Sequence, residues 1–380
     1  MPTRRELLFA GAALPAAARK IRLAVVGGGF GATFHWHEHP NCVVAAVADL
    51  RPDRRTRLRD YYRCDNVYES LETLIEKEKK LDAVAVFTGA PDHYKHVEMC
   101  FRRGLHVVSA CPACFTLEEA EKLKEIKEKT GLRYMMAESS YYRPACIYAR
   151  DLFRRGGFGK IFYTEAEYYH DRGELEKLVT DTKSRFYDPD GSRSWRWGLP
   201  PMHYPTHALA YLVGVTGERI VSVSCLGWGS PHPWTKDNRY RNPYWNECAL
   251  MQTSGGGILR ANVFWLIGAE GERAQWFGEK GSLYMQNASI YPNTWVDRLK
   301  GKQPLAIPDY WRTDPMLPEP MRHSSGHGNS AVFICAEFIN ALIEDREPAI
   351  DVYESLAMTV PGLVAHQSAL RNGEQLKVPR

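Results

Sequence analysis

The sequence predicts an α/β fold in two domains, an N-terminal parallel sheet followed by a C-terminal α+β domain with an open, largely antiparallel sheet. Three observations predict it. From Ile21 to about Ser139, short apolar β-rich runs alternate with charged segments of helical period, as βαβ units do. A glycine-rich turn follows the first of those runs. Beyond Arg143 the texture changes to long alternating segments that suit a sheet with one covered face. A length of 380 residues exceeds what one hydrophobic core usually organises, which favours two domains.

The candidate strands of the first domain are Ile21–Val26, Val43–Ala48, Ala83–Phe87, His106–Ser109 and Tyr134–Ala137. The helix Leu117–Thr130 opens on Thr116 with Glu119 three residues on, a capping box that satisfies orphan N–H groups. One further helix precedes the alternating segments Ile161–His170, Ile220–Leu226, Ile258–Leu266 and Ala274–Tyr284, and helices over about Ser330–Ile343 and Val352–Leu370 close the chain. The leading segment reads differently. Thr3-Arg4-Arg5 precedes an apolar run from Leu7 to Ala18 that ends on small residues, the pattern of a twin-arginine export signal. The expected organisation is thus a signal over 1–18, a nucleotide-binding domain over 19–141 and a substrate domain over 142–380. Periplasmic export is expected, with the cytoplasm as the alternative.

Composition removes several function classes. Lys+Arg number 49 against 45 Asp+Glu, a formal charge of +4, with the signs interspersed, so no basic stripe awaits nucleic acid. No stretch approaches the roughly 20 apolar residues of a membrane span. Nine cysteines without regular spacing do not form a disulfide framework. Of ten tryptophans, only Trp36 precedes residue 190, which concentrates stacking candidates and core anchors in the second domain.

The first strand runs into Val26-Gly27-Gly28-Gly29-Phe30-Gly31-Ala32, which satisfies G-x-G-x-x-A at a helix start. Gly27 permits the tight turn, Gly29 lets a pyrophosphate approach the backbone, and Ala32 is expected to allow close helix–sheet packing. Asp49 ends the second strand, where a carboxylate accepts both ribose hydroxyls and repels a 2′-phosphate. This combination predicts a Rossmann domain binding NAD in preference to NADP. Arg51, Arg54 and Arg55 follow and are read as a solvated helix start. His35, His37 and His39 alternate in the expected first helix, with only His35 and His39 on one face. Since no Glu-x-x-His framework accompanies them, packing and helix-end charge are expected, and no metal. Cys111-Pro112-Ala113-Cys114 has C-x-x-C spacing, with the cofactor loop preferred over a redox role.

The glycine turn, Asp49, Thr88-Gly89-Ala90-Pro91-Asp92-His93, Gly104-Leu105-His106-Val107-Val108 leading to Cys111-Pro112, and Phe277-Gly278-Glu279-Lys280-Gly281-Ser282 resemble the Gfo/Idh/MocA oxidoreductase family over essentially everything after residue 20. The resemblance implies that Thr88 and His93 flank the nicotinamide half of the cofactor, with Phe30, Gly31, Asp92, Ala110, Cys111 and Ser139 completing its site. That family carries Glu-Lys-Pro where this chain has Ala110-Cys111-Pro112, and of its Asp-x-x-x-His signature only His207 survives in His203-Tyr204-Pro205-Thr206-His207. One branch lacking the lysine, which contains NAD-dependent retaining α-N-acetylgalactosaminidases, is more similar still. The likeness rests on Ala137-Glu138-Ser139, Tyr168-Tyr169-His170-Asp171, Trp195-Arg196, Tyr204-Pro205-Thr206-His207 and Ser325-Gly326-His327-Gly328.

Tyr168 and His170 stand two apart on an expected strand and so share a face, where a phenol and an imidazole can divide proton transfer. By resemblance Tyr168 is the base at the sugar C2. His207 takes the C3 hydroxyl proton, His170 acts as an acid or holds the cofactor, and Glu138 orients water or sugar. Arg196, Tyr204, Pro205, Thr206 and His207 are the implied sugar-binding residues. The expected function is a glycosidase-like enzyme on a small carbohydrate, working by transient C3 oxidation, C2 deprotonation and elimination with tightly bound, recycled NAD. A conventional sugar or polyol dehydrogenase and a catalytically silent NAD-dependent sugar binder are the alternatives. A homo-oligomer, dimer or tetramer, is implied as well.

Overall fold

The computed structural model describes residues 20–171, 177, 180–184, 186–188, 190–286 and 292–379. The expected export signal, 1–18, lies outside the described residues.

Six parallel strands make the first sheet in the order β3-β2-β1-β4-β5-β6. They are β1 (Ile21–Val26), β2 (Cys42–Ala48), β3 (Val67–Tyr68), β4 (Ala83–Val86), β5 (His106–Ser109) and β6 (Tyr134–Met136). Leu23 to Val26 and Ala83 to Val86 are buried along their whole length, because helices cover both faces of a parallel sheet. The helix behind β1 is shorter than expected. It spans only Gly28–Gly31 and gives way to a single 3-10 turn at Trp36–Glu38. His35, His37 and His39 therefore do not ride one helix. His39 is buried with Nε2 3.1 Å from Asn340 Oδ1, whereas His35 turns to Glu38.

The second sheet has nine strands, ordered β14-β13-β12-β11-β7-β10-β9-β8-β15. These are β7 (Ile161–Asp171), β8 (Ile220–Trp228), β9 (Asn246–Thr253), β10 (Ile258–Ile267), β11 (Gly271–Gly278), β12 (Gly281–Tyr284), β13 (Thr294–Asp297), β14 (Gly301–Pro304) and β15 (Leu376–Lys377). Only β7 and β10 run parallel. Ala274–Tyr284 is not one strand, since the chain reverses between Gly278 and Gly281 and pairs β11 with β12. Along β10, Leu259, Ala261, Val263 and Trp265 are buried on the helix-covered face, while the opposite face exposes Leu226, Trp228, Leu250 and Ile258.

The helix Thr206–Thr216 carries Tyr204-Pro205-Thr206-His207 into the molecule, yet no periodicity announces it. From Thr206 to Val215 every residue is buried, so the helix is apolar all round and shows no amphipathic repeat. The C-terminal chain returns to the first domain. Cys335 Sγ lies 3.3 Å from the His35 backbone nitrogen, and Ser330 Oγ donates to the Ser139 carbonyl at 2.7 Å.

Candidate active site

A cleft of about 870 Å³ runs from the glycine turn across the ends of the parallel strands to the covered face of the second sheet. At its first end Gly27 has φ 102° and a Cβ there would stand 2.1 Å from the Phe87 carbonyl oxygen, so only glycine makes this turn. Close helix–sheet contact falls at Gly31 as well, beside the buried Ala32: a Cβ on Gly31 would meet Val25 Cγ1 at 2.9 Å. Neither Gly31 nor Ala32 reaches the cleft lining, whereas Gly27, Gly29 and Phe30 do. Asp49 also lines the cleft, held by the N–H groups of Gly28 at 2.7 Å and Arg51 at 2.8 Å. Arg51 is occupied by Asp53 and Arg55 donates to the Asp49 carbonyl, but the Arg54 guanidinium overhangs Gly29, its Cζ 3.4 Å from where a Cβ would be. A bare glycine cradle, a cation above it and a fixed carboxylate beside it fit a dinucleotide, with pyrophosphate over the turn and ribose on Asp49.

Farther along, Thr88, Asp92, His93, Ala110, Cys111 and Ser139 all border the cleft. His93 is a buried strut between the loops that follow β4 and β5, Nδ1 2.7 Å from the Pro112 carbonyl and Nε2 3.3 Å from that of Thr88. Burial pushes its pKa down to about 4, so it is neutral at physiological pH. Cys114 is fully buried, and burial pushes its thiol up. That withholds the thiolate a Cys111–Cys114 exchange would need.

The reacting end gathers residues from both domains. β7 presents Tyr168, opposite Val263 of β10 and Glu272 of β11, and the helix Thr206–Thr216 presents His207. Their rings lie 4.5 Å apart, and Tyr204 stacks at 6.1 Å from Tyr168. His207 Nδ1 is 2.6 Å from Glu138 Oε1, and Cys111 Sγ, a Glu138 oxygen and a His207 nitrogen all lie within 4.8 Å of one another. Burial opposes a charged His207, yet the Glu138 carboxylate and then Cys111 outweigh it and hold the imidazole pKa well above its ordinary value. Burial pushes the Tyr168 phenol up to about 12, with His207 the leading opposing influence. Tyr204 is raised for the same reason.

Several expected residues take different places. Glu138 is fully buried and outside the cleft lining, where it faces His207 and not the space that water or sugar would fill. Pro205 and Thr206 are buried away from the cleft, Pro205 packed on Gly362 of the last helix. Both hold Tyr204 and His207 in position. Arg196 borders the cleft with its guanidinium 4.2 Å from the Trp195 ring centre. His170 follows Tyr168 on β7, and its side chain lies outside the described residues.

Sequence reasoning missed Glu272 and Ser140. Glu272 reaches the cleft and accepts from Ser140 Oγ (2.6 Å), Arg143 Nη2 (2.7 Å) and Tyr211 Oη (2.8 Å). Despite burial, Arg143 above all draws its pKa down to about 2. The signal was the strand alternation carried two residues before Ala274, which puts Glu272 on the same face as Ala274 and Trp276. His327, quoted above only for its resemblance, also borders the cleft.

Residues 21–138 match the profile of the Gfo/Idh/MocA "Oxidoreductase family, NAD-binding Rossmann fold". A glycosyl hydrolase family 109 protein of Saccharopolyspora erythraea is 25% identical over 331 residues, 82% of this chain and 70% of that one. The alpha-N-acetylgalactosaminidase of Bacteroides fragilis is 30% identical over 158 residues, 39% of this chain and 36% of that one. Among solved structures, scyllo-inositol dehydrogenase from Lactobacillus casei, with bound NAD(H) and scyllo-inositol, superposes with a TM-score of 0.71 at 16% identity over 94% of this chain and 99% of that one. The last likeness is one of fold. Residues 21–138 thus form an NAD-binding Rossmann domain of the Gfo/Idh/MocA oxidoreductase family, and the likeness to glycosyl hydrolase family 109 proteins runs along most of the chain.

Proposed function

We propose that the protein acts on a sugar or glycoside by transient oxidation at C3, deprotonation at C2 and elimination of the C1 substituent, with water added back and no net redox change. The observation that carries this reading is the Glu138–His207 pair beside Tyr168. It supplies a proton acceptor where the family's lysine is replaced by Cys111. The glycoside substrate class rests on the names of the relatives.

NAD, which the glycine turn and Asp49 would hold, would supply a reversible hydride acceptor for C3. His207, its Nδ1 tied to Glu138, keeps Nε2 for the C3 hydroxyl proton. Paired with a carboxylate it is a stronger base than a free imidazole, which favours alkoxide formation as the C3–H bond breaks. The resulting C3 ketone acidifies the C2 proton. Tyr168, as phenolate, takes it, and the electron pair expels the C1 oxygen, which leaves as the alcohol with a proton drawn from a water molecule. The hydroxide of that water adds at C1, C2 regains its proton from Tyr168, and the C3 alcohol is restored with the proton held on His207. Because His207 is the strongest influence favouring the Tyr168 phenolate, the two proton transfers are coupled.

The proposed setting is export through residues 1–18, where a self-recycling enzyme has no need of an external NAD supply. A homo-oligomer is also proposed, supported by the apolar side chains Leu226, Trp228, Leu250 and Ile258 on the uncovered sheet face.

Pure protein with no added cofactor is to be incubated with a panel of aryl glycosides in heavy water. Aglycone release with deuterium at C2 is the expected result. An absorbance rise near 340 nm that requires added NAD and free sugar would replace this reading with a dehydrogenase, and inertness across the panel would replace it with a sugar binder.

A further inference from the structure

The turn Trp36–Glu38 meets the C-terminal chain at a cluster that the proposed chemistry does not use. Glu38 stands between two imidazoles, Oε1 3.0 Å from His35 Nδ1 and Oε2 2.6 Å from His323 Nε2. The imidazole centres are 4.8 Å apart, and one ligand atom from each of the three residues lies within 4.8 Å of the other two. All three side chains are partly exposed, which leaves room for water as a fourth ligand.

Hydrogen bonding orients His323 for a ligand's role. Its Nδ1 lies 3.0 Å from the Ser324 carbonyl oxygen, which can only accept, so Nδ1 carries a proton. That leaves Nε2 to face the Glu38 carboxylate oxygen 2.6 Å away, a contact held by a second ring proton or by a metal ion in its place. A ring that donates Nδ1–H to a backbone carbonyl and offers Nε2 outward is also how metal-bound histidines are oriented. Two imidazoles, one carboxylate and an open position form a three-protein-ligand set suited to zinc. An oxygen-only ion such as calcium or magnesium has no use for the two nitrogens.

We propose that His35, Glu38 and His323 bind one divalent transition-metal ion of the zinc class, and that this ion pins the segment from His323 to Ser330 against the nucleotide domain. That segment is anchored at its far end by Ser330 on the Ser139 carbonyl. Between the anchors His327 lies edge-on to Phe30 of the glycine turn, ring centres 5.1 Å apart, and borders the cleft. A metal at His323 therefore holds the segment that closes over the cofactor end.

The test is zinc titration of the full chain after chelator treatment, followed by calorimetry, with cobalt substitution to read coordination. One equivalent is expected, weakened at least ~10-fold in both Glu38→Gln and His323→Ala and retained in Cys111→Ser, since Cys111, Glu138 and His207 form the other cluster capable of holding an ion among the described residues. Slower NADH dissociation in the zinc-loaded protein is expected, with that slowing absent in His323→Ala. Three results would overturn the proposal: no binding, binding that survives both substitutions, or binding lost with Cys111. The first would leave a proton as the cation between His323 and Glu38. An NADH dissociation rate that zinc leaves unchanged would overturn the pinning.

Discussion

Glu138 Oε1 and His207 Nδ1 lie 2.6 Å apart, the carboxylate fully buried and the imidazole at the wall of the cleft. The carboxylate fixes the ring orientation and raises its basicity. Glu138→Gln removes the charge while preserving the shape, so burial, which disfavours the imidazolium, then dominates. The acid limb of the kcat/KM profile, which reports loss of the His207 proton and so lies above ordinary imidazole values, is expected to move to lower pH. The plateau rate is expected to fall by about 10²–10⁴ with NADH affinity unchanged. An unmoved acid limb would show that His207 is not the group titrating.

Tyr168→Phe keeps the ring against His207 and removes only the hydroxyl. Loss of deuterium incorporation at C2 is expected, with NAD still bound, because the nucleotide contacts lie at the other end of the cleft. If Tyr168 is the C2 base, a single-turnover measurement will still show NADH forming from C3 oxidation in this variant. Retained C2 exchange would assign that proton to another group.

The nucleotide half was legible in the sequence because its chemistry is local. A glycine turn and an acid at the end of the next strand are fixed by a few bonds along the chain, and Gly27, Gly29 and Asp49 stand along the cleft as their spacing implied. The reacting half depends on pairings across long separations. Glu272 meets Tyr168 because β11 pairs with β7 in a register that sets the two opposite, and the alternation along β11 gives its face but not that partner. Glu138 looked like a cleft residue because it follows a strand end. Its neighbour Ser140 donates its backbone N–H to Glu138 Oε1 at 2.8 Å, and His207 shares the same oxygen, so the carboxylate points inward. His35 and His39 suggested a shared helix face, but a helix of four residues cannot present one. The partner of His35 came from His323, far along the chain.

Cofactor choice is expected to turn on Asp49 against Arg54. Asp49→Asn keeps an acceptor for the Gly28 N–H and removes the charge that repels a 2′-phosphate. With the Arg54 guanidinium already over the turn, the NADH-to-NADPH affinity ratio should fall by at least about 10-fold. Adding Arg54→Ala to that variant should restore most of the ratio by weakening NADPH binding. Fluorescence titration with both reduced nucleotides checks this, and an unchanged ratio in Asp49→Asn would remove Asp49 as the discriminating group.

Acid should destabilise the protein over two overlapping windows, the first shared by His93 and the equally buried His203 and the second carried by Glu272. The folded pKa of each is depressed, so each contributes stability that is complete above its unfolded value and is lost as pH falls through its folded value. For His93 the window runs from 6.5 down to about 4, and for Glu272 from 4.5 down to about 2. Each shift corresponds to about 3 kcal/mol. His93→Gln is expected to lessen the dependence of Tm on pH between 6.5 and 4, with the part due to His203 retained, while leaving the lower window in place. Glu272→Gln should do the reverse and also cost about 3–5 kcal/mol at neutral pH, because Arg143 loses the carboxylate that compensates its charge in a largely buried site. Thermal melts of both variants from pH 7 to 3 separate the windows. Parallel Tm curves for His93→Gln and the parent would show that the His93 strut does not contribute to the first window.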